Sequence, residues 1–382
     1  MKKVLYIANF LYREDSGATS VARSHLDVLI EGYGEDYVFT IALIGTYKKV
    51  VPLKKVNFEV CSVESNILKR GMNLLQGHTG KISEKIIAHI SQVIQEKQID
   101  IVFFDDSIYG LAIKKLKKQY KDVIFAAYYH DVKQNLCVDW IKKDPKNFLK
   151  YIPLMWNESM TAKYTDYNIV LNEREKREFR KYYKKDPELL LPVILSSHDI
   201  ESNNKKINNP MCILFIGGYY YPNVNGIDWF INKVLCRLDT GFHLIIAGNG
   251  MERLSDKYKD LSNVDVYGRI EDLSELYTKA DVIVGPIFEG AGMKVKTAEA
   301  LSYGKCFVGT DESLEGYFEK LTKSVKDKFV FRCNTDREFI EVIKRIKTET
   351  INISKCNKEV LDFFEENYSI TSAAKLLKSN LK

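Results

Sequence analysis

The 382-residue chain has no apolar run approaching the ~18 residues needed to span a bilayer. Two lysines precede VLYIA at the N-terminus, but that run is too short for the core of a secretory signal, and charge returns at Arg13. The segment reads as a first buried strand, and the expected location is the cytoplasm, with peripheral membrane contact left open. The seven cysteines (Cys61, Cys137, Cys212, Cys236, Cys306, Cys333, Cys356) are scattered, odd in number and without CxxC spacing. That excludes a disulfide scaffold and favours reduced core thiols. Neither H-x-x-x-H nor H-E-x-x-H occurs, so no metal site is expected. A G-x-G-x-x-G is missing after the first strand, where the chain reads ANFLYREDSG, which argues against a nicotinamide-dependent enzyme. The formal charge of +6 suits phosphorylated substrates or anionic lipid, yet no basic motif points to nucleic acid. There is no short-period repeat and no low-complexity tract.

What is present is a regular alternation. Strands are predicted at Val4–Asn9, Val38–Ile44, in IDIVFFDD (99–106), in VIFAAYY (123–129) and in YNIVLN (167–172). Helices are predicted at Thr19–Ile30, with Ala22, Leu26 and Leu29 inward, at Ile82–Gln95, around Leu111–Leu116 and within 137–168. Strands alternating with helices of this length imply a parallel sheet covered on both faces, with ligands beyond the carboxyl ends of the strands. The loops Leu11–Ser20, Asp105–Tyr109 and His130–Gln134 therefore matter most. The basic helix EREKREFRKYYKK (173–185) reads either as a solvated face or as a docking surface for an anionic acceptor or membrane, with Tyr182 and Tyr183 as interfacial anchors. The polar run 196–210 has no apolar period and ends in Pro210, so it reads as a linker. The same alternation then restarts. The expected α/β architecture is two Rossmann-like domains, 1–195 and 211–365, joined by 196–210, with 366–382 a C-terminal helix packing back toward the first domain.

The stretch from Asp281 to Thr310, DVIVGPIFEGAGMKVKTAEALSYGKCFVGT, is the most informative. It reads as strand Asp281–Ile287, glycine turn Glu289–Gly292, helix Met293–Tyr303, a stop at Gly304 and strand Cys306–Gly309. Val295, Ala298 and Leu301 form one apolar stripe, and Lys296 and Glu299 share a neighbouring face. Gly290 and Gly292 permit close backbone approach, and the helix start offers free N–H groups and partial positive charge. A turn, a helix start, a lysine and a carboxylate in one unit suit a nucleotide diphosphate.

The run GAGMKVKTAEALSYGKCFVGTDESLEG resembles the donor-site signature of nucleotide-sugar glycosyltransferases of the GT-B fold, nearest to the retaining group 1 or family 4 type. FIGGYYYPNVNGIDWF is similar to the opening of that group's second domain, and IIAGNGMERL and VDVYGRIEDLSELYTKADVIVGP follow in the family's order. Residues 213–317 carry most of the resemblance. The first half, VLYIANF and SGATSVARSHLDVL, is similar more weakly.

The resemblance implies GT-B, two domains facing a central cleft, and transfer of a sugar from a UDP- or GDP-sugar to a glycan, lipid-linked or protein acceptor. Lys296 matches the family's diphosphate lysine, with Lys294 assisting; Glu289, Gly290, Ala291, Gly292 and Met293 form the donor turn. Glu299 matches the carboxylate that accepts from ribose hydroxyls. Gly217 and Gly218 end the second domain's first strand, and Arg269 stands where the family reads the base. In the first domain, Ser16, Gly17 and Ala18 occupy the glycine-loop position, and His130, at a strand end, is expected to bind the donor sugar or orient the acceptor. Asp131 would orient His130 or cap the next helix; Asp105 and Asp106 are the alternative base. Asp105-Asp106 is not the D-x-D of the other major glycosyltransferase fold, so the work of a cation falls to lysine and arginine and no cofactor beyond the donor is implied. Two positions depart from the family pattern. Ala291 stands where many members carry a glutamate, with Glu289 two residues out, and Ser16-Gly17-Ala18 replaces a common Gly-Gly pair. These departures motivate the alternative of a catalytically silent partner of an active enzyme.

Overall fold

A computed structural model describes the chain except residues 10, 12–16, 45–56, 63–66, 80–81, 199–206 and 349–355. It divides into two compact units, Met1–Ile194 with Ile370–Lys382, and Leu195–Ser369.

The first unit contains strands β1 (Val4–Ala8), β2 (Val38–Ile44), β3 (Phe58–Ser62), β4 (Ile101–Phe104), β5 (Ile124–Tyr129), β6 (Tyr167–Val170) and β7 (Leu189–Leu190). Every pairing is parallel, in the order β3-β2-β1-β4-β5-β6-β7. The connecting helices are α1 (Gly17–Tyr33), α2 (Ile67–Leu75), α3 (Glu84–Lys97), α4 (Gly110–Gln119), α5 (Lys133–Lys143), α6 (Phe148–Tyr164) and α7 (Glu173–Tyr183). Strands β1 and β4 are buried along their whole length, as a sheet covered on both faces requires. In α1, Ala22, Leu26 and Leu29 face inward as their spacing predicts, and the C-terminal helix Ile370–Asn380 packs along α1 through Ala373, Ala374 and Leu377. Strand β3, strand β7 and helix α2 are not apparent from the sequence pattern. Two of them are an outer strand and a two-residue strand, whose pairing depends on a neighbour already in place.

The loop after β5 is held by buried carboxylates. Glu175 accepts from Val132 N at 2.9 Å. Glu158, fully buried, accepts from Lys133 N (3.0 Å), Gln134 N (3.1 Å), Ser107 Oγ (2.7 Å) and Tyr183 Oη (2.8 Å). It thereby caps α5 from outside that helix. Burial pushes the Glu158 carboxyl up to about 7, against the lowering effect of Lys133 and the hydrogen-bond donors.

Helix α7 resolves as a solvated, salt-bridged face rather than a docking surface. Arg180 pairs with Asp186 and Lys181 with Glu178. Tyr183 turns inward to Glu158, and Tyr182 packs against the core, so neither is an interfacial anchor.

The second unit repeats the plan with β8 (Met211–Ile216), β9 (Phe242–Ala247), β10 (Val264–Tyr267), β11 (Val282–Gly285), β12 (Cys306–Gly309) and β13 (Val330–Arg332). The order is β10-β9-β8-β11-β12-β13, again all parallel. Its helices are α8 (Tyr221–Lys233), α9 (Ser255–Tyr258), α10 (Ser274–Lys279), α11 (Val295–Ser302), α12 (Asp311–Leu314), α13 (Lys323–Lys328), α14 (Asp336–Lys347) and α15 (Lys358–Tyr368); the C-terminal helix is α16. Asp281 lies just ahead of β11, where its buried carboxylate accepts from Cys212 N at 2.7 Å and from Asn208 N at 3.1 Å. It anchors the end of the polar run 196–210, of which 199–206 lie outside the described residues. The α11 stripe is broader than expected. Thr297, Ala298, Ala300, Leu301 and Ser302 are buried, whereas Val295 is half-buried. Gly304 ends this helix in the left-handed region at φ 62°.

Because four donors converge on Glu158, Glu158→Gln turns an amide N–H₂ toward at least one of them. At pH 8, where the carboxylate is ionised, the substitution is expected to lower the unfolding free energy by about 1–3 kcal/mol, measured by urea titration.

Candidate active site

In a sheet whose first strand lies inside the order, successive crossovers leave that strand in opposite directions and open a crevice beyond its carboxyl end. In the second unit that strand is β8, between β9 and β11. Gly217 and Gly218 follow it directly. They have different roles. A Cβ on Gly217 would come to 3.0 Å from both the Asn223 amide and Lys296 Nζ, while one on Gly218 would meet only Asn249 O at 3.6 Å. Gly217 leaves room for a polar pair, and Gly218 is exposed.

That pair joins two helix starts. Asn223, in the first turn of α8 beside Pro222, donates through Nδ2 to Gly218 O at 2.8 Å. Its Oδ1 accepts from Lys296 Nζ at 2.6 Å. Lys296 Nζ also lies 4.4 Å from the centroid of the Phe215 ring. Burial, and next the charge of Lys294, lower the Lys296 ammonium to about 7, against the pull of Glu299. The cation is therefore held by a neutral amide and a ring face.

Lys294 is engaged differently. Its Nζ pairs with Glu312 and donates to Ala291 O and Gly292 O, each at 3.2 Å. It staples the turn whose glycines take positive φ, 150° at Gly290 and 64° at Gly292. No side chain caps α11; within its first turn Thr297 N donates to Lys294 O at 3.0 Å, and Val295 and Lys296 open the helix without a side-chain cap. Met293 is buried beneath the turn, and Ala291 and Glu289 are exposed on it. Glu299, one turn after Lys296, accepts from the buried Tyr277 hydroxyl at 3.2 Å. Burial raises its carboxyl, with Tyr277 and Lys296 acting in the opposite direction. Tyr277 in turn stacks on Tyr303, with ring centroids 4.3 Å apart and planes at 6°. Lys296 and Glu299, three residues apart, are each partly buried and each has a different hydrogen-bond partner. Arg269 is exposed after Gly268.

The first unit has its own crevice beyond β1 and β4. His25 on α1 is buried and donates through Nδ1 to Asp105 Oδ1 at 2.7 Å. His130, directly after β5, bonds through Nε2 to the Asp105 backbone oxygen at 3.0 Å, and that nitrogen is 3.5 Å from Oδ2. Burial opposes charging of His130, but Asp105 and Asp106 raise its pKa overall. Asp105 is held well below the usual carboxylate range: burial opposes ionisation, but the two histidines outweigh it. Asp131 accepts from Lys133 Nζ at 3.1 Å, and Asp106 lies 3.3 Å from the same ammonium. Gly17 and Ala18 begin α1, and Ser16 lies outside the described residues.

Sequence reasoning missed His25, Glu158, Asn223 and Tyr277 as individual residues. His25 was accessible, being a polar residue on the Ala22–Leu29 inner face. Asn223 was visible only as part of a Pro-Asn motif, and no spacing relates Tyr277 to Glu299.

Known proteins resemble this chain in sequence over part of its length and in fold over the whole. Residues 210–349 match the family model described as "Glycosyl transferases group 1". The chain as a whole has the GT-B fold. A lipopolysaccharide outer core galactosyltransferase WaaB in its apo form superposes with a TM-score of 0.69 at 15% identity, over 99% of both chains. Anabaena Alr3699/HepE in complex with UDP-glucose gives 0.69 at 14% identity, over 100% of this chain and 99% of that one. A curated relative, an uncharacterized 44.6 kDa protein in the cps region of Klebsiella pneumoniae, is 28% identical over 168 residues. That match spans 41% of this chain and 42% of the relative's length.

The Lys296 assignment carries a pH signature. With a folded-state pKa of about 7 and an unfolded value of ~10.4, the unfolded chain binds more protons between those limits, so Lys296 contributes a rise in stability with pH across that window. Lys296→Met is expected to flatten that rise, measured by denaturant unfolding from pH 7 to 10.

Proposed function

We propose that the chain transfers a hexose from a UDP- or GDP-sugar to a glycan, lipid-linked or protein acceptor, with retention, in the synthesis of a surface polysaccharide or glycoconjugate. The observation that carries this reading is Lys296. Its ammonium is half-buried beside the Gly217 turn and set on the uncapped start of α11 without a carboxylate as hydrogen-bond partner. A diphosphate supplies the missing negative charge, and the charge that grows on a departing nucleoside diphosphate would be met by a preorganised cation and helix N–H groups.

Glu299, oriented by Tyr277, takes the ribose hydroxyls. The Gly290–Met293 turn, stapled by Lys294, approaches the phosphates and the sugar, with Glu289 at its rim, and Arg269 and Gly218 border the nucleotide. His130 hydrogen-bonds the transferred sugar or orients the acceptor. The bond from the anomeric carbon to the diphosphate breaks as the acceptor oxygen bonds to that carbon, and the acceptor's proton leaves with the nucleotide. Lysine and the helix start take the place of a bound cation in this scheme. A UDP-glucose complex of one protein with the same fold, and a second such protein that is a galactosyltransferase, support a UDP-hexose donor. The cps-region relative supports a polysaccharide setting.

UDP or GDP is expected to raise the melting temperature of the full chain, and a donor panel scored by hydrolysis identifies the sugar. Lys296→Ala is expected to abolish transfer and the nucleotide-dependent shift while circular dichroism stays unchanged. Transfer retained in that variant would overturn the reading. Nucleotide binding without hydrolysis or transfer of any donor would favour the catalytically silent alternative.

A further inference from the structure

Helix α6 buries Met160 and Ala162 with the core but also turns several polar side chains inward and leaves large apolar ones bare. It buries Asn157, Glu158 and Thr161 completely or nearly so, whereas Phe148, Ile152 and Trp156, at four-residue steps on one face, are 51%, 39% and 47% exposed. Beside this stripe Trp140 of α5 is 41% exposed and packs on Tyr151, with ring centroids 4.9 Å apart. The apolar surface runs on to the end of α2. The turn at Gly77 lies so close to Trp156 that a Cβ there would come to 2.6 Å from the indole, and Asn157 Nδ2 donates to Gly77 O at 2.9 Å. Just before that turn Leu75 projects into solvent, 90% exposed. A contiguous apolar surface of this kind marks an interaction site.

The charge around it narrows the partner. Between Trp140 and Trp156 the sequence places four lysines (Lys142, Lys143, Lys146, Lys150) against one aspartate, Asp144, and Lys142 and Lys146 are exposed. Two copies of the chain meeting through this face about a two-fold axis would set one lysine group against the other. An anionic lipid surface instead takes indole and phenyl rings at headgroup depth and ammonium groups at its phosphates. We infer that this α2–α5–α6 face of the first unit docks on an anionic bilayer, lying on it. Among the described residues no helix is long and apolar enough to cross one. The inference is independent of the donor site and stands on this face alone.

The test uses the full chain and vesicles of phosphatidylcholine with and without phosphatidylglycerol. Co-sedimentation is expected with the anionic vesicles and falls at high salt; brominated acyl chains quench tryptophan fluorescence in the unsubstituted protein. Phe148→Ser with Ile152→Ser is expected to lower partitioning roughly tenfold or more. Lys142→Glu with Lys146→Glu gives the same loss on anionic vesicles, and serves where the first pair alters the melting curve. Both variants keep the thermal response to nucleotide shown by the parent chain, so failure of docking and failure of the donor site are separable. Absence of vesicle binding, or partitioning unchanged in both variants, overturns the inference. Self-association lost in Phe148→Ser with Ile152→Ser, without vesicle binding, overturns it in favour of a second copy of the chain.

Discussion

A strand that pairs in parallel with its neighbour cannot return through a tight turn, so the chain must cross the sheet before each new strand begins. Both sheets here obey that constraint at every pairing, and the positions of the polar residues follow from it. All carboxyl ends of a sheet lie along one edge. The strand that starts each unit is flanked on both sides, β1 by β2 and β4, and β8 by β9 and β11. The loops after these inner strands have no strand crossing over them. In the second unit the loop after β8 holds Gly217 and Gly218; in the first, Asp105 and Asp106 follow β4, the strand paired with β1.

The two crevices solve the problem of buried charge in opposite ways. In the first unit charge is met within the protein: Asp105 lies between two histidines, Lys133 lies between Asp106 and Asp131, and Glu158 collects four donors. Such a network is costly to break and orders the loop that carries His130. In the second unit the central ammonium, Lys296, is met by an amide oxygen and a phenyl face. Its lowered pKa reflects that incomplete compensation. Lys294, two residues earlier, is neutralised by Glu312 and spends its charge on the shape of the glycine turn. Two lysines so close in sequence thus divide the work of holding the loop and presenting charge.

Burial of polar groups also explains the exposed face of α6. Asn157, Glu158 and Thr161 must turn inward, because Gly77, the loop after β5, and the Ser107 carbonyl need them. On a helix with 3.6 residues per turn, the residues on the far side then point to solvent, and here those are Phe148, Ile152 and Trp156.

Local pattern determined a good deal of this protein. Short β-branched and aromatic runs separated by helical periods specify parallel α/β units, because no other arrangement covers strands that are apolar on both faces. The Asp281–Thr310 stretch was legible almost residue by residue, since its strand, turn, helix and stop are each encoded within a few neighbouring positions. So was the placing of Lys296 and Glu299 three apart on one helix. Tertiary structure alone decided what those side chains meet. Asn223 and Tyr277 reach them from helices 73 and 22 residues away in sequence, and His25 meets Asp105 across 80 residues. It also set Lys294 against Glu312 and the glycine turn and turned Tyr183 inward, and it showed which face of α6 is left bare. Spacing along a chain reports which side of an element a residue occupies, but only packing supplies the partner, and it is the partner that decides whether a charge is spent, stored or offered to a ligand.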